Sequence, residues 1–266
     1  MLVLLFWKNT IMLKIVILGC GSSAGVPVIG CKCNICISEE KRNKRTRSSI
    51  LIVSDNGNIL IDTSPDLRYQ ALANNINSIS AILYTHYHAD HVSGIDDLRS
   101  FNYISKGPLP IYADKETLCS LQSKFSYAFF NEYETLNWYK PSLIVNEITN
   151  GKDFLVNGLK ITPFKQAHGN ISSLGFKFGN MAYSTDVNFL SDDVIGLLKG
   201  IKIWVVDCLG YKPSKSHAHL DLVLSWVEKI NPQKVILTHM GHEIDYIALK
   251  KKLPNFIEPA YDGMII

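Results

Sequence analysis

The sequence predicts an α/β sandwich, in which two β-sheets pack face to face and helices cover their outer sides. Two observations lead to this prediction. Short apolar, β-branched segments recur along the chain in the pattern of strands, and amphipathic stretches between them have the pattern of helices. The chain also has 266 residues, of which 47% are hydrophobic and 19% charged, so it can form one large core and is not disordered overall.

The predicted elements alternate along the chain. The strands are Lys14–Leu18, Ser49–Val53, Asn58–Ile61, Ala81–Tyr84, Leu159–Pro163, Leu174–Phe178, Met181–Ser184, Ile203–Val206 and Val235–Leu237. The helices are Pro65–Asn74, Lys115–Phe125, Asp192–Leu198, Leu220–Ile230 and Asp245–Lys252. Ser64 before Pro65 is a typical helix start, because serine caps the first turn and proline suits its first position. The aromatic stretch 125–139 lacks clean periodicity, so we expect a loop packed on the core, with a pocket-covering insertion as the alternative.

The N-terminal residues and the net charge bear on where the protein acts and on the partners that it can bind. Residues 1–11 are predicted to be an extension ahead of a single domain spanning 12–266, and both Met1 and Met12 stay open as the true start. The apolar run at its beginning is too short to span a bilayer and lacks the features of a signal peptide. We therefore expect a cytoplasmic protein with no membrane partner. A net charge of +3 argues against a nucleic-acid partner.

The strongest functional signal is the run THYHADH at residues 85–91. It supplies His86, His88, Asp90 and His91 immediately after a predicted strand. So many metal-ligand side chains in so short a segment are typical of a centre for two cations. The alternative, a histidine-rich surface turn, is disfavoured because further residues of the same kind occur elsewhere in the chain.

Those further residues each follow a predicted strand. They are Asp62 in ILIDTSP, His168 in FKQAHGN, Asp186 in YSTD and His239 in ILTH. Functional residues of layered α/β folds collect where strands end, so we expect these side chains to meet. Asp62 is predicted to orient a ligand, by accepting a hydrogen bond from the second nitrogen of a histidine or from a metal-bound water.

This ordered set resembles the metallo-β-lactamase-fold hydrolases over nearly the whole chain. The stretches LGCGSSAGVPVIGCKCNIC, HADHVSGIDDLR and LTHMGHEIDY resemble, within that superfamily, the phosphoribosyl 1,2-cyclic phosphate phosphodiesterase (PhnP-like) group. The resemblance implies a four-layer αβ/βα sandwich with two divalent metal ions between the sheet edges. It implies one metal held by His86, His88 and His168, a second held by Asp90, His91 and His239, and Asp186 as the bridge between them.

A second ligand cluster is predicted from the cysteines. Cys31, Cys33 and Cys36 place three thiolates in one loop, which leaves one position of a tetrahedral zinc ion open. His242, three residues after His239, is the predicted fourth ligand, and the PhnP-like group has a similar structural zinc site that joins the N-terminal and C-terminal loops. The alternative is a set of reduced thiols with no metal.

Two other polar segments have open interpretations. By resemblance, His217 in the stretch SHAHL matches a catalytic histidine that protonates the leaving oxygen, with His219 or a simple helix-capping role as alternatives. The basic run of Lys41, Arg42, Lys44, Arg45 and Arg47 is predicted to be a solvated surface, and attraction of a phosphate-bearing substrate is the alternative.

Together these features predict a binuclear hydrolase that cleaves a small cyclic phosphate or a nucleotide-like phosphodiester. Two ions of Zn, Mn or Fe would generate a bridging hydroxide, with Asp90 and His217 as catalytic residues. The alternatives are a tRNA 3′-processing endonuclease, a carboxylic ester, thioester or β-lactam hydrolase, and, from another class, a non-hydrolytic accessory protein resembling the pyrroloquinoline quinone biosynthesis protein. The expected partner is a small phosphate ester, and the resemblance is also compatible with a homodimer.

Overall fold

The computed structural model describes residues 13–130 and 139–266, which form two β-sheets. The first sheet contains β1 (Lys14–Gly19), β2 (Ser49–Val53), β3 (Ile59–Ile61), β4 (Ala81–Leu83), β5 (Leu109–Ala113) and β6 (Leu143–Glu147), in that spatial order. The second contains β7 (Phe154–Val156), β8 (Leu159–His168), β9 (Ile171–Phe178), β10 (Met181–Ser184), β11 (Ile203–Asp207), β12 (Lys234–Thr238) and β13 (Ile257–Pro259), also in order. The predicted extension at residues 1–11 and residues 131–138 of the aromatic stretch lie outside the described residues.

Strands β2 to β4 of the first sheet are buried on both faces. Strands β1 to β3 pair antiparallel, and β3 to β6 pair parallel. Successive residues of a strand point to opposite faces. Ile15 and Ile17 of β1 accordingly join the core between the two sheets, whereas Leu18 joins a second core beneath the helices. Burial on both faces explains why these strands are short, continuous apolar runs in the sequence.

The second sheet combines an antiparallel meander with a parallel half. Strands β7 to β10 pair antiparallel, and β10 to β13 pair parallel. The longest hairpin joins β8 and β9 through a two-residue turn at Gly169 and Asn170, so His168 pairs directly with Ile171. Gly169 has a φ of 61°, a conformation that glycine adopts without steric cost. The turn therefore places His168 at the edge of the sandwich.

Helices cover the outer faces of both sheets. They are α1 (Leu67–Ala73), α2 (Ala89–Val92), α3 (Leu98–Ser105), α4 (Lys115–Lys124), α5 (Asp192–Leu198), α6 (Leu220–Ile230) and α7 (Tyr246–Lys252). Leu98 and Leu118 pack on the first sheet, and Trp226 and Leu249 pack with the second. The predicted four-layer αβ/βα sandwich is confirmed. Within 13–130 and 139–266, no helix has both the length and the apolar character needed to cross a bilayer.

All the predicted strands and helices are present; β2, β10, α5 and α6 have the predicted bounds, and the others differ at one or both ends. The predicted start of α1 at Pro65 is wrong by two residues, since the helix begins at Leu67 with Asp66 as its N-cap. Ser64 does not cap the helix, because its Oγ accepts a hydrogen bond from the Asp66 backbone N–H instead. The sequence analysis missed β5, β6, β7, β13, α2 and α3. These elements are short, and Pro110 in β5 and Pro259 in β13 weaken their strand patterns, since proline cannot donate to the ladder.

The basic run before β2 is partly solvated, with Lys41 and Lys44 exposed, but the prediction of a solvated surface is wrong for Arg45. Arg45 is only 2% exposed, and its guanidinium donates to the backbone carbonyls of Gly241 and Ile244. Arg47 forms an ion pair of 3.0 Å with Asp66. Arg45 therefore links the loop before β2 to the loop after β12, where a hydrated cation was expected.

Candidate metal centre

The predicted metal ligands meet at one edge of the sandwich, where strands of both sheets end. His86 and His88 follow β4, Asp90 and His91 lie in α2, His168 ends β8, Asp186 follows β10 and His239 follows β12. The structure brings all seven together in two adjoining groups, whose possible ligand atoms lie within 4.8 Å of one another inside each group. Strands far apart in the chain thus supply one site.

Three residues at this edge have left-handed backbone conformations. The φ angles of Asp62, Asp186 and His239 are 64°, 52° and 55°. Residues other than glycine adopt this region infrequently, and they keep it where surrounding contacts hold them there. At each of the three, the chain leaves a strand and turns its side chain towards the same point.

The first group consists of three histidines, His86, His88 and His168. His168 Nε2 lies 3.2 Å from His88 Nδ1, and His168 Nδ1 donates to the Ser216 carbonyl at 2.7 Å. Burial lowers the pKa of all three imidazoles. Neutral imidazole is the form that binds metal, and the hydrogen bond to Ser216 leaves the Nε2 lone pair of His168 free for a ligand role.

The second group combines two carboxylates with two histidines. His91 Nε2 lies 3.0 Å from Asp186 Oδ1, and His239 Nε2 lies 3.1 Å from Asp186 Oδ2. Burial would lower the pKa of His239, but Asp186 and Asp90 raise it to about 9. The buried carboxylates therefore attract positive charge. Asp186 Oδ1 also lies 4.0 Å from His86 Nε2, so this carboxylate faces both groups.

The unpaired polar atoms of the site provide a test of whether metal ions fit it. His86 Nε2, His91 Nε2, His239 Nε2 and Asp186 Oδ2 are buried, and although the last three lie close together, none of the four makes a hydrogen bond. Leaving buried polar atoms unpaired is costly, whereas nitrogen and carboxylate oxygen are suitable ligands for Zn, Mn or Fe. Each group offers enough donors for one divalent cation, so the residues present fit a metal centre.

Asp62 has the contacts that its predicted orienting role requires. Its Oδ2 accepts from His91 Nδ1 at 2.7 Å, and its carboxylate also accepts from the backbone N–H and hydroxyl of Thr85, both at 2.8 Å. A hydrogen bond to Nδ1 fixes the tautomer of the imidazole and directs Nε2 of His91 towards the second group.

His217, rather than His219, lies against the ligand groups. Its ring stacks on that of His239 with 4.7 Å between centroids, and its Nδ1 donates to Asp207 Oδ2 at 2.9 Å. His219 instead occupies the N-cap position of α6. The sequence analysis missed Asp207. Asp207 lies at the end of β11, and the candidate metal ligands were recognised in the sequence by the same kind of position at or after the end of a strand.

The loop that carries His217 is held by side chains of the site. Asn188 Nδ2 donates to the Lys215 carbonyl at 2.9 Å, and Asn188 Oδ1 accepts from the Gly169 backbone N–H at 3.2 Å. Together with the bond from His168 to Ser216, these contacts join the β8–β9 turn to the His217 loop. A cavity of about 520 Å³ opens between them, with Lys215 and both ligand groups in its wall.

The structure brings the four residues of the predicted cysteine cluster together. The sulfur atoms of Cys31, Cys33 and Cys36 lie 3.3, 3.4 and 3.7 Å from His242 Nδ1. Ligand atoms of a tetrahedral zinc ion are about 3.5 Å apart when the bonds are about 2.3 Å to sulfur and 2.0–2.1 Å to nitrogen. Hydrogen bonding to the Cys36 backbone N–H lowers the pKa of Cys33 to about 6. A thiolate is therefore accessible, and the residues fit a closed Cys3His site.

The two clusters are connected through the loop after β12. His239 belongs to the metal centre and His242 to the cysteine cluster. Between them, Met240 N–H donates to the Cys20 carbonyl at 2.8 Å, and the Met240 carbonyl accepts from Ser22 N–H at 3.1 Å. The loop from Cys20 onwards therefore pairs with the backbone of the loop that carries both histidines.

Two ligand groups that face one open cavity, beside a histidine held by a carboxylate, define a metal-dependent hydrolase with this sandwich fold. The chain matches the β-lactamase superfamily domain over residues 57–240. It is 33% identical to a protein whose crystal structure is described as that of a new diphosphatase from the PhnP family; the TM-score is 0.88, and the match covers 96% of this chain and 97% of that one. This chain therefore belongs to the β-lactamase superfamily and, within it, to the PhnP family, which confirms the resemblance found in the sequence.

Other comparisons extend the range of similar proteins. The chain is 36% identical over 259 residues to an octanoyltransferase of Porphyromonas gingivalis, a match covering 95% of this chain and 51% of that protein. The chain thus spans about half the length of this curated relative. The Zn(2+)-bound PqqB from Methylobacterium extorquens has the same fold, with a TM-score of 0.75 at 20% identity, over 95% of this chain and 99% of that one.

Proposed function

We propose that this protein hydrolyses a phosphate ester, either a small cyclic phosphodiester or a nucleotide-like diester, at a centre of two divalent metal ions. The observation that carries the proposal is the Asp207–His217 pair, because it holds a proton donor against both ligand groups in one cavity. The similarity to a PhnP-family diphosphatase supports a reaction at phosphorus.

The proposed ligand assignment follows the two groups. His86, His88 and His168 would hold one ion, Asp90, His91 and His239 would hold the other, and Asp186, which faces both groups, would serve both. Divalent ions held there would activate water for attack and neutralise charge that develops on the phosphate oxygens. Zn, Mn and Fe all suit these ligands, and zinc suits the cysteine cluster. Asp90 acts through this ligand role.

His217 is proposed as the general acid. Its Nδ1 is occupied by Asp207, so the proton that it delivers to the leaving oxygen is the one on Nε2. Asp207 is 0% exposed and also accepts from the Val187 backbone N–H at 3.0 Å, which fixes its orientation. A carboxylate in this position holds the ring and stabilises the imidazolium, as in other carboxylate–histidine pairs.

The cavity favours a small anionic substrate. Its volume of about 520 Å³ accommodates a sugar phosphate. Lys215 in its wall offers a positive charge to a phosphate that approaches the metals. The net charge of +3 is modest for a protein that binds a nucleic-acid backbone, and Arg42 and Arg47 of the basic run form ion pairs, so precursor tRNA is the less favoured phosphodiester.

A carboxylic ester or thioester is the second candidate substrate. This candidate is favoured by the match to an octanoyltransferase. The matched part is about half of that protein, and the name describes the whole of it. An activated water can attack a carbonyl carbon as well as phosphorus, so the ligand set is compatible with either reaction.

The deciding experiment combines metal analysis with a substrate panel on one purified sample. The panel contains a ribose cyclic phosphate, a linear phosphodiester, a diphosphate, an octanoyl thioester, a β-lactam and a precursor tRNA. We expect hydrolysis of the cyclic phosphate by protein that contains the metals. Turnover of the thioester or lactam with no phosphoester cleavage would overturn the proposal, and turnover of precursor tRNA alone would move it to the endonuclease class.

A further inference from the structure

Arg45 is a buried cation that belongs neither to the two ligand groups nor to the cysteine cluster. The loop after β12, residues 239–245, carries His239 at its start and His242 in its middle. We infer that Arg45 is a positioning residue, whose guanidinium holds this loop so that His239 faces the metal centre and His242 faces the cysteine cluster before any metal ion binds. The inference rests on the proposed function for the assignment of the metal sites, and it does not depend on the substrate.

The guanidinium of Arg45 bonds to the loop on both sides of His242. Its Nη1 donates to the Gly241 carbonyl at 3.2 Å, and its Nη2 donates to the Ile244 carbonyl at 2.8 Å. Nη2 also donates to Asn43 Oδ1 at 3.0 Å, which fixes the plane of the group. Because a guanidinium presents its donors in a rigid planar fork, it holds the two carbonyls at a set separation. The backbone that carries His242 is therefore fixed by protein contacts alone.

The backbone around Arg45 supports the start of the same loop through Gly21. The Gly21 N–H donates to the Thr46 carbonyl at 2.8 Å, and on its other side Gly21 pairs with Met240, the residue after His239. A Cβ atom at Gly21 would lie 2.7 Å from the Arg45 carbonyl oxygen, which is closer than such atoms can approach. Only glycine lets the chain pack this closely. The segment of Arg45 is thus in contact with both ends of the loop.

His239 depends on such support, because its φ of 55° is a left-handed conformation. A residue other than glycine keeps this conformation only where its surroundings hold it. Gly241, two residues later, is held at both backbone groups: its N–H donates to the Leu209 carbonyl at 2.8 Å, and its carbonyl accepts from Arg45. Release of that carbonyl would free the backbone next to His239 to relax and to turn the imidazole away from Asp186.

The charge of Arg45 indicates positioning rather than packing. The residue is 2% exposed, so it does not contact a substrate in the cavity. Burial lowers the pKa of Arg45, and the neighbouring Cys20, Asp262 and Asp245 oppose this shift. Apolar side chains fill buried space at a lower cost than charged ones do. A buried guanidinium whose donors reach the loop after β12 is therefore better explained by the need to fix that loop.

The test measures metal affinity in the full-length protein. Arg45→Met removes the donors, and Arg45→Lys keeps the charge but loses the planar fork. Arg47→Met is the matched control, since the Arg47 guanidinium pairs with Asp66 at 3.0 Å instead. Each protein is loaded with Co²⁺ and titrated with a chelator. The thiolate charge-transfer absorption reports the cysteine cluster, and mass spectrometry counts all the cobalt that is retained.

We expect both Arg45 variants to bind Co²⁺ about 10–100-fold more weakly in the cysteine cluster and in the second group, the range seen when residues that orient metal ligands are replaced. The first group, which takes no ligand from this loop, should keep its ion, and Arg47→Met should match wild type. Thermal unfolding identifies the temperature at which each variant is folded. Affinities equal to those of wild type in folded Arg45→Lys would overturn the inference, because Arg45 would then only stabilise the fold.

Hydrogen–deuterium exchange of wild type stripped of metal provides a second test that needs no variant. The amides of Met240 and Gly241 should be protected from exchange, because the loop is held without metal. Rapid exchange of both amides in an otherwise protected protein would overturn the inference, also if the Arg45 variants fail to fold. Neither test uses a substrate, so a failure to cleave phosphate esters would refute the proposed reaction and leave the outcome for Arg45 unchanged.

Discussion

The metal centre and the cysteine cluster both gather side chains that can bind a metal ion, but they are built in opposite ways. The cysteine cluster takes three ligands from a six-residue loop and one from the loop after β12. The metal centre takes its ligands from the ends of four strands in two sheets, and three residues at its edge have left-handed backbones. The cysteine cluster has four ligands and can close a tetrahedral zinc ion, whereas the metal centre opens onto a cavity of about 520 Å³.

This comparison shows which features distinguish a site that can carry out a reaction from a site that only stabilises the fold. The cysteine cluster joins two loops, and no cavity is needed for that purpose. The metal centre has buried nitrogen and oxygen atoms without partners, a histidine held by Asp207, and an open path to solvent. If this comparison is correct, changes at the metal centre should abolish activity, and changes at the cysteine cluster should mainly lower stability.

The largest effect is expected at Asp186, the carboxylate that faces both ligand groups. We expect Asp186→Ala to lose the metals of that centre, to retain zinc in the cysteine cluster, and to lose activity by roughly 10⁴-fold or more, because activation of water and charge neutralisation are lost together. Metal content by mass spectrometry and kcat/KM measure this. Asp55→Asn, in an exposed turn, is the control. A normal metal content in Asp186→Ala would contradict the assignment.

A smaller loss, with the metals retained, is expected at His217. His217→Ala should lose about 10²–10⁴-fold in kcat, the range typical of general acid catalysis, and Asp207→Asn should lose less. The loss should shrink when the leaving group is p-nitrophenol, because a good leaving group does not need a proton. Turnover of cyclic phosphate, turnover of a p-nitrophenyl ester and metal content are measured together. His219→Gln should behave as wild type, and equal losses on both substrates would argue against proton transfer.

The cysteine cluster should respond in stability. Cys33→Ser should lose one zinc per chain and unfold several degrees lower, because zinc binding to the folded state contributes directly to folding free energy. At low temperature we expect activity to fall only a few-fold, through the short connection from His242 to His239. Cys119→Ser, at an exposed free cysteine on α4, should change neither value. The measurements are zinc content, thermal unfolding and kcat/KM. An immediate loss of all activity in folded Cys33→Ser would contradict the assignment of the cysteine cluster to stability alone.

The smallest effect concerns Asp262, which anchors both ends of the loop with the cysteine cluster. It accepts hydrogen bonds from the backbone N–H groups of Cys20 and Thr46 at 3.1 and 2.7 Å. Burial raises the pKa of Asp262 to about 6, although these hydrogen bonds oppose the rise. The folded state therefore holds this proton more tightly than the unfolded state does, so the stabilisation is complete below about pH 4 and is lost as the pH rises through 6.

Urea unfolding of wild type and Asp262→Asn across pH 4–7 checks this titration. We expect wild type to lose about 2 kcal/mol of unfolding free energy relative to the variant over that range. The difference between the two proteins isolates Asp262 from the other groups that titrate. A difference that is constant with pH would show that Asp262 is ionised throughout.

The fold and most of the centre were predictable because their signals are local. Each strand around the metal centre is a short apolar run, and each candidate ligand follows such a run within a few residues, as His86 follows β4 and His239 follows β12. Elements such as β5 and β13 were not predictable, because each is short and contains a proline that masks the strand pattern.

Asp207 was overlooked for a different reason. A single aspartate after a strand has many ordinary uses, and only its 2.9 Å hydrogen bond to His217 distinguishes it. The same contact selects His217 over His219, which have nearly identical sequence surroundings. Asp207 ends a strand and His217 lies ten residues later in a loop, so no periodic spacing links the two in the sequence.

The kinds of candidate ligand, the strands that present them and the cysteine loop could all be predicted from the amino-acid sequence, because residue type and spacing along one segment carry that information. The burial of Arg45 and the hydrogen bond between Asp207 and His217 became visible only in the folded chain. These features arise where strands and loops from distant parts of the chain pack against each other, and packing depends on three-dimensional distance rather than on sequence spacing.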